Sequence, residues 1–358
     1  VSLKHQAKVL LREVYARALF HTGLWAVVDR CMPRRLTILA GHCVAPGASL
    51  VPGHLPADMQ ITEARLERIL SWFQARFRLV TVGDGWRVLR SGEAERSLVA
   101  LSMDDGYRDN ARVMLPLLQR LGAPATVYLE SRPLDERRVN WSHKYFWLCA
   151  RVDFEDLARR YGAATRDPRA SAAIAAALAK SSEDARYHVK RALKYDVDTE
   201  DRDRVIDRLF AEEGGDERGL CEELYMDWDE ARALQAAGVE LGGHTVNHVI
   251  LSRCDGATAQ REIEGGAARL RAELGCATPS FAYPWGRRWD FDAQSSALVQ
   301  HSGFESAVTM HAGVNTPSTR PTELKRLAIA DDAKLHLLAT EACGGFELLR
   351  RVGINLSE

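Results

Sequence analysis

Two hydrophobic periods take turns along the chain, one of strands and one of helices. After Pro33 the run LTILAGHCV is short and apolar, which reads as a buried strand ending at His42. In TEARLERILSWFQARF (62–77), Leu66, Ile69, Leu70, Phe73 and Phe77 recur at helical spacing, with Thr62 placed to cap. RLVTV and SLVALSM (97–103) read as strands, the stretch to Leu121-Gly122 as a helix that glycine stops, and ATVYLE (125–130) as another strand. Gly83-Asp84-Gly85 reads as a turn. From 131 to 225 the alternation gives way to a charged stretch of helical pattern, as in ASAAIAAALAK and DRVIDRLF. It then resumes with helix WDEARALQAAG, strand VELGG, a helix over 258–274, strand SFAYP, a helix over 292–301, and strands in FESAVTM and LKRLAIA.

Seven or eight strands alternating with helices predict a parallel α/β sheet, and the strand count favours a barrel. The chain then divides into an amphipathic helical segment (1–32), a barrel (33–335) interrupted by a helical insertion (131–225), and a helical tail (336–358).

Composition narrows the partners. Lys and Arg total 48 against 49 Asp and Glu, a balance that disfavours nucleic acid as the main partner. The seven cysteines are odd in number and scattered, without a C-x-x-C, which fits free thiols better than a disulfide framework. No run reaches the roughly 18 apolar residues of a membrane span, and no signal-peptide pattern opens the chain. Cytoplasm is the expected compartment. One qualification is that Leu10, Val14, Leu19, Leu24 and Trp25 interleave with Lys4, Lys8, Arg12 and Arg17. Such a basic amphipathic helix either packs on its own domain or lies peripherally on an anionic membrane.

In a parallel α/β barrel, reactive groups collect at the C-terminal ends of the strands. Those ends carry His42, Asp104-Asp105, His244 and Tyr283-Pro284-Trp285-Gly286. Adjacent carboxylates at the mouth of a core repel each other and invite a cation, although Asp-Gly alone is a common turn. His244 and His248 are four apart, so a tight loop or one helical turn aims both imidazoles at one spot. Two histidines and one carboxylate suit a metal site with positions open for water and substrate. The same set also fits a ferrous oxygenase triad, which the second aspartate and the barrel pattern disfavour.

M-D-D-G (103–106), H-T-V-N-H (244–248) and F-A-Y-P-W-G (281–286) resemble, in order, the three leading motifs of the polysaccharide deacetylase (NodB-homology) family, carbohydrate esterase family 4. ILAGHCV, LQRLGAPATVYL, AVTMHAGVN and LKRLAI add to the likeness, which spans about 36–130 and 226–330. The resemblance implies a distorted (β/α) barrel holding one divalent metal, most often zinc, with cobalt or nickel as alternatives. It implies a hydrolase that removes N-acetyl groups from amino sugars. Carried over, Asp105, His244 and His248 are the metal ligands and Asp104 is the general base. The backbone N–H of Trp285 helps to hold the oxyanion. The position matching the family's motif-three arginine is Ala282, as in a subgroup acting in exopolysaccharide synthesis. LKRLAIADD lacks the family's late histidine, so the general acid is assigned to His42, with His311 as the alternative; His301 and His336 rank lower as helix residues.

Tyr283, Pro284, Trp285 and Trp289 flank the expected site as candidate sugar contacts. The aromatic run WSHKYFW (141–147) either anchors the insertion or stacks on a sugar. The expected function is N-deacetylation of a nucleotide-linked, lipid-linked or small glycoside precursor, with the insertion as a candidate lid. Its rivals are another amide or ester hydrolase on the same barrel (an O-deacetylase, deformylase or ring-opening amidase) and a sugar-binding homologue without turnover.

Overall fold

The computed structural model describes residues 3–51, 53, 55–179, 182–276, 278–351, 353, 354 and 356. It contains two compact units, one of residues 1–50, 57–135 and 224–358, the other of 51–56 and 136–223.

Among the described residues the first unit is built on ten short strands: β1 (Leu36–Gly41), β2 (Cys43–Ala45), β3 (Gln60–Thr62), β4 (Arg78–Val80), β5 (Leu98–Met103), β6 (Thr126–Leu129), β7 (Glu240–Gly243), β8 (Ser280–Ala282), β9 (Ser306–Val308) and β10 (Leu327–Ala328). The main sheet runs β10-β1-β5-β6-β7-β8-β9, all parallel, while β2 and β3 form a small parallel pair beside it. β5 shares one edge between two partners: its first half pairs with β4 and its second half with β6. From β9 a single bridge, Val308 to Leu324, leads toward β10, so the sheet curls into the expected barrel but closes imperfectly.

Every position of β1 and β5 is buried, as parallel strands covered on both faces require. Alternate side chains nevertheless go to different cores. Leu36, Ile38, Leu98, Ala100, Tyr128, Ala282 and Val308 share one cluster. Leu39, Val99, Leu101, Met103, Val127 and Leu129 join another with helix residues Leu66, Phe73, Leu117 and Leu270. Asp104 continues the parity of Leu98, Ala100 and Ser102, on the strand face of the first cluster.

Helix Glu63–Gln74 buries Leu66, Ile69, Leu70 and Phe73, and Thr62 caps it by accepting from the Arg65 N–H. Gly83-Asp84-Gly85 departs from the turn expected of it. It lies in the first turns of helix Val82–Ser91, which Thr81 caps. The glycine serves an approach rather than a bend: the Gly83 N–H donates to the Glu240 carboxylate at 3.0 and 3.1 Å. Glu240 also accepts from Thr81, Thr126 and Ser280, tying together the N-terminal ends of three strands and this helix.

The 1–32 segment forms helices Leu3–His21 and Trp25–Cys31. Leu19 is buried, the Tyr15 hydroxyl donates to the Gly345 carbonyl, and Phe20 stacks on Trp72. The opposite face leaves Leu10, Leu11 and Val14 exposed. Among the described residues no helix is long and apolar enough to cross a membrane.

The second unit is helical. WSHKYFW lies in helix Trp141–Cys149, where Trp147 packs edge-on to Phe210 and Arg202 covers Trp141, both partners on helix Thr199–Glu212. Lys144 is buried there and paired with Asp207 and Glu217. All seven cysteines are free thiols.

Candidate active site

The C-terminal ends of β5 and β7 bring the expected acid and histidines together. Asp105 Oδ1 lies 3.2 Å from His244 Nε2 and 3.3 Å from His248 Nε2. Despite these short distances, that buried oxygen has no well-directed hydrogen bond among the described residues. Three lone-pair-bearing atoms, all within 4.8 Å of one another, therefore converge on one point, the arrangement a divalent cation would satisfy.

The orientation of His244 fits this reading. Its Nδ1 lies 2.7 Å from the carbonyl of Ala282. A carbonyl only accepts, so Nδ1 carries the proton and Nε2 keeps its lone pair, as a metal-ligating nitrogen would need. The residue standing where an arginine was expected thus contributes through its backbone.

The local backbone is held in an unusual state. Asp105 (φ 74°), Thr245 (64°), His248 (54°) and Trp285 (62°) all occupy the left-handed region that side-chain-bearing residues avoid. Each costs on the order of 1–2 kcal/mol, and the surroundings must enforce it. For Thr245–His248 the enforcement comes from Glu262 on helix Gly256–Leu274. Its buried carboxylate accepts from the Val246 and Asn247 N–H groups and from the Asn247 side chain, at 2.6–3.0 Å. Thr245 Oγ1 accepts from the His248 N–H, closing the loop. Glu262 lies fourteen or more residues downstream of the motif it braces, and its helix reads as ordinary amphipathic sequence, so the residue pattern carries no sign of it.

Asp104 turns away from the histidines to Arg326. The guanidinium donates Nη1 to Oδ1 at 2.7 Å and Nη2 to Oδ2 at 2.8 Å, and both side chains are buried. Arg326 is itself fixed by the Thr309 carbonyl at 2.9 Å and by Ser102 Oγ. The guanidinium that motif three lacks is therefore supplied from the approach to β10. The visible signal was the basic residue set among apolar ones in LKRLAIA.

Charge is distributed accordingly. Burial alone would raise both carboxyls. Arg326 outweighs it at Asp104, and the imidazoles of His248 and His244 outweigh it at Asp105, which is held well below the usual carboxylate range. Burial alone would lower His244, but Asp105 and Asp104 outweigh it and raise the imidazole above its ordinary value.

The remaining expected residues divide. His42, directly after β1, interacts electrostatically with both Asp104 and Asp105, and its carbonyl accepts from buried Asn110. Trp285 sets its ring 5.2 Å from that of His248, edge-on. His311 keeps other company: it faces Phe291 and lines a separate cavity of about 400 Å³ with Arg288 and Glu323. Tyr283, expected to contact sugar, is fully buried, stacked on Phe291 with its hydroxyl 3.1 Å from Ser296 Oγ, because it faces the helix side of the sheet. Pro284 is buried too, whereas Trp289 is exposed.

The chain thus carries an Asp-His-His cluster at the strand ends of a distorted parallel barrel. The polysaccharide deacetylase family model matches residues 174–306, which include His244, His248 and the Tyr283–Gly286 turn but neither Asp104 nor Asp105. The fold is shared with Streptococcus pyogenes deacetylase PplD in complex with acetate (TM-score 0.57, 14% identity, covering 87% of this chain and 99% of that one). It is shared as well with IcaB from Ammonifex degensii (TM-score 0.55, 17% identity, 87% and 98% covered). A de-N-acetylase from Aggregatibacter actinomycetemcomitans gives a TM-score of 0.54 at 15% identity, with 84% and 97% covered. No curated protein matches the sequence.

Proposed function

We propose that the protein is a metal-dependent hydrolase that removes an N-acetyl group from an amino sugar during synthesis of a surface polysaccharide or glycoconjugate. The observation that carries this reading is the convergence of Asp105, His244 and His248 beside a second carboxylate, Asp104, that is kept apart from them by Arg326. A binding protein has little use for such a second acid.

In this reading Asp105, His244 and His248 hold a divalent ion, with zinc the first candidate. When bound, that ion supplies Lewis acidity and makes water a stronger acid at neutral pH. Asp104 takes the proton from the attacking water, and Arg326 keeps the carboxylate ionised and oriented for it. Water oxygen adds to the amide carbonyl, and the Trp285 N–H stabilises the charge gathering on the carbonyl oxygen. The C–N bond then breaks as His42 delivers a proton to the departing amine, leaving acetate and a free amino sugar. Trp285 and Trp289 are the aromatic sugar contacts left in play once Tyr283 is buried. Two of the structural neighbours, a deacetylase in complex with acetate and a de-N-acetylase, agree with this chemistry.

The test pairs metal analysis with acetate release from N-acetylglucosamine-type substrates, free and nucleotide-linked, for the unaltered protein and Asp104→Asn. Acetate from the unaltered protein alone, with metal retained by both, is the expected result. Metal in both with no acetate from any such substrate would point to another acyl group. A chain that binds no divalent metal would overturn the reading.

A further inference from the structure

A cavity of about 690 Å³ lies in the barrel unit where the helices at its two chain ends meet the 312–327 segment. Arg35, one of its lining residues, immediately precedes β1, so the cavity gathers at the N-terminal end of that strand. The acid–histidine cluster stands past the C-terminal ends, and six residues of strand, about 20 Å, separate the two levels.

The lining is strongly basic. Arg12, Arg35, Arg320, Lys325, Arg350 and Arg351 face three glutamates. The acids are taken up by some of these cations: Glu323 by Arg320 at 3.1 Å, Glu347 by Arg350 at 2.9 Å, and Glu341 by Arg350 at 3.7 Å. Arg351 also approaches Glu347, at 3.7 Å, and six cations against three carboxylates leave the lining with a positive excess, in which Lys325 and Arg35 stand out. The Lys325 side chain is exposed and makes no ion pair among the described residues. Arg35 is 2% exposed, and its Nη1 has no hydrogen-bond partner among the described residues, while Nε and Nη2 are used on Pro33, Met32 and Asp29. An unsatisfied buried guanidinium nitrogen is costly, and an anion is the partner that would relieve it. Gly344 lets the chain lie against that nitrogen, since a Cβ there would come within 2.1 Å of it.

We infer that this cavity binds phosphate, as the free anion or as the phosphate of an ester or a lipid headgroup. Guanidinium and ammonium groups converging from several elements are what phosphate recognition uses. The volume lies within the range of small-ligand sites and exceeds what one phosphate fills, leaving room for an ester substituent. Arg12 also links the cavity to the helix whose outer face exposes Leu10, Leu11 and Val14, which makes a lipid headgroup one of its two natural sources.

The test is calorimetric titration of the full chain with sodium phosphate at constant ionic strength, with chloride as the control anion. Asp105→Asn serves as a second background, so that phosphate taken up by the acid–histidine cluster is not counted. Phosphate is expected to bind both backgrounds equally, and Lys325→Glu or Arg351→Glu to weaken it at least about tenfold in each. Both positions are exposed, so the variants should melt with the unaltered chain. Flotation with phosphatidylcholine vesicles, with and without phosphatidylglycerol, separates the sources. Recovery that needs phosphatidylglycerol and is lost in Lys325→Glu assigns a headgroup; phosphate binding without flotation assigns a soluble ester or the free anion. No phosphate binding at millimolar concentrations, binding lost in Asp105→Asn, or affinity unchanged by both charge reversals overturns the inference.

Discussion

Arg326 and Asp104 form a bidentate pair, 2.7 and 2.8 Å long, in which both charged groups are buried. An ion pair out of water is poor evidence of net stabilisation, yet removing one partner strands the other. Arg326→Met should therefore cost about 3–5 kcal/mol in denaturant unfolding. The double variant Arg326→Met, Asp104→Asn should recover part of that loss, because no unpaired charge stays buried. Equal stability of the single and double variants would mean that the pair is not coupled.

The Asp104 and Asp105 carboxyls are both held below their ordinary values in the folded chain. The sign follows directly: a depressed folded value contributes stability that is present above the unfolded value, near pH 4, and is lost as pH falls through the folded one. Metal-free protein should lose stability on acidification below about pH 4, and Asp104→Asn should flatten that loss. His244 has the opposite sign. Its raised value gives a contribution present below about pH 6.5 and lost as pH rises through the folded value. Since a ligand imidazole must be neutral, zinc uptake should weaken with falling pH and release protons, measurable by calorimetry in buffers of different ionisation heat.

Asp109 offers a separate pH test four residues past the acid pair. Burial pushes its carboxyl up to about 7 despite bonds from the Val44 backbone, Asn110 and Cys43. A raised carboxyl favours folding below the unfolded value and loses that contribution as pH rises from about 4 to about 7. Asp109→Asn should therefore gain stability relative to the unaltered protein at pH 8, by roughly 2–4 kcal/mol more than at pH 4. Paired thermal melts at the two pH values decide it.

Gly83 touches Glu240 closely enough that a side chain there cannot be accommodated. An added Cβ would come within 2.5 Å of the Glu240 carboxylate and 2.9 Å of Pro279. Gly83→Ala should cost roughly 1–3 kcal/mol, although alanine is the better helix former. An unchanged or raised melting temperature would show that the carboxylate moves freely.

Removing the brace should separate loop geometry from ligand identity. Glu262→Ala leaves Asp105, His244 and His248 in the chain but releases the backbone that carries His248. Zinc affinity should fall by about 10–100-fold, the usual scale for losing outer support of a metal ligand. Competition with a chromophoric chelator reads this directly.

Local pattern was enough for much of the architecture. Strand and helix periods alone indicated a parallel barrel, because burial on both faces makes β1 and β5 almost continuously apolar and the packed helices amphipathic. The Asp104-Asp105 and His244–His248 pairs stood out because each is compact in sequence and falls at a strand end, where the parallel topology gathers reactive groups. What the pattern could not carry were partners joined only by folding. Arg326 meets Asp104 across 222 residues, and Glu262 braces a loop from a helix whose periodicity it does not disturb. Tyr283 was misjudged for a related reason: adjacency to a motif says nothing about which face of the sheet a side chain takes. Parity and tertiary packing settle that. Sequence by itself thus determined the fold class and singled out the acid and histidine pairs that the structure brings together, since these depend on local periodicity and chemistry. The tertiary structure decided which charges neutralise one another, because an ion pair depends on distance in space and not along the chain.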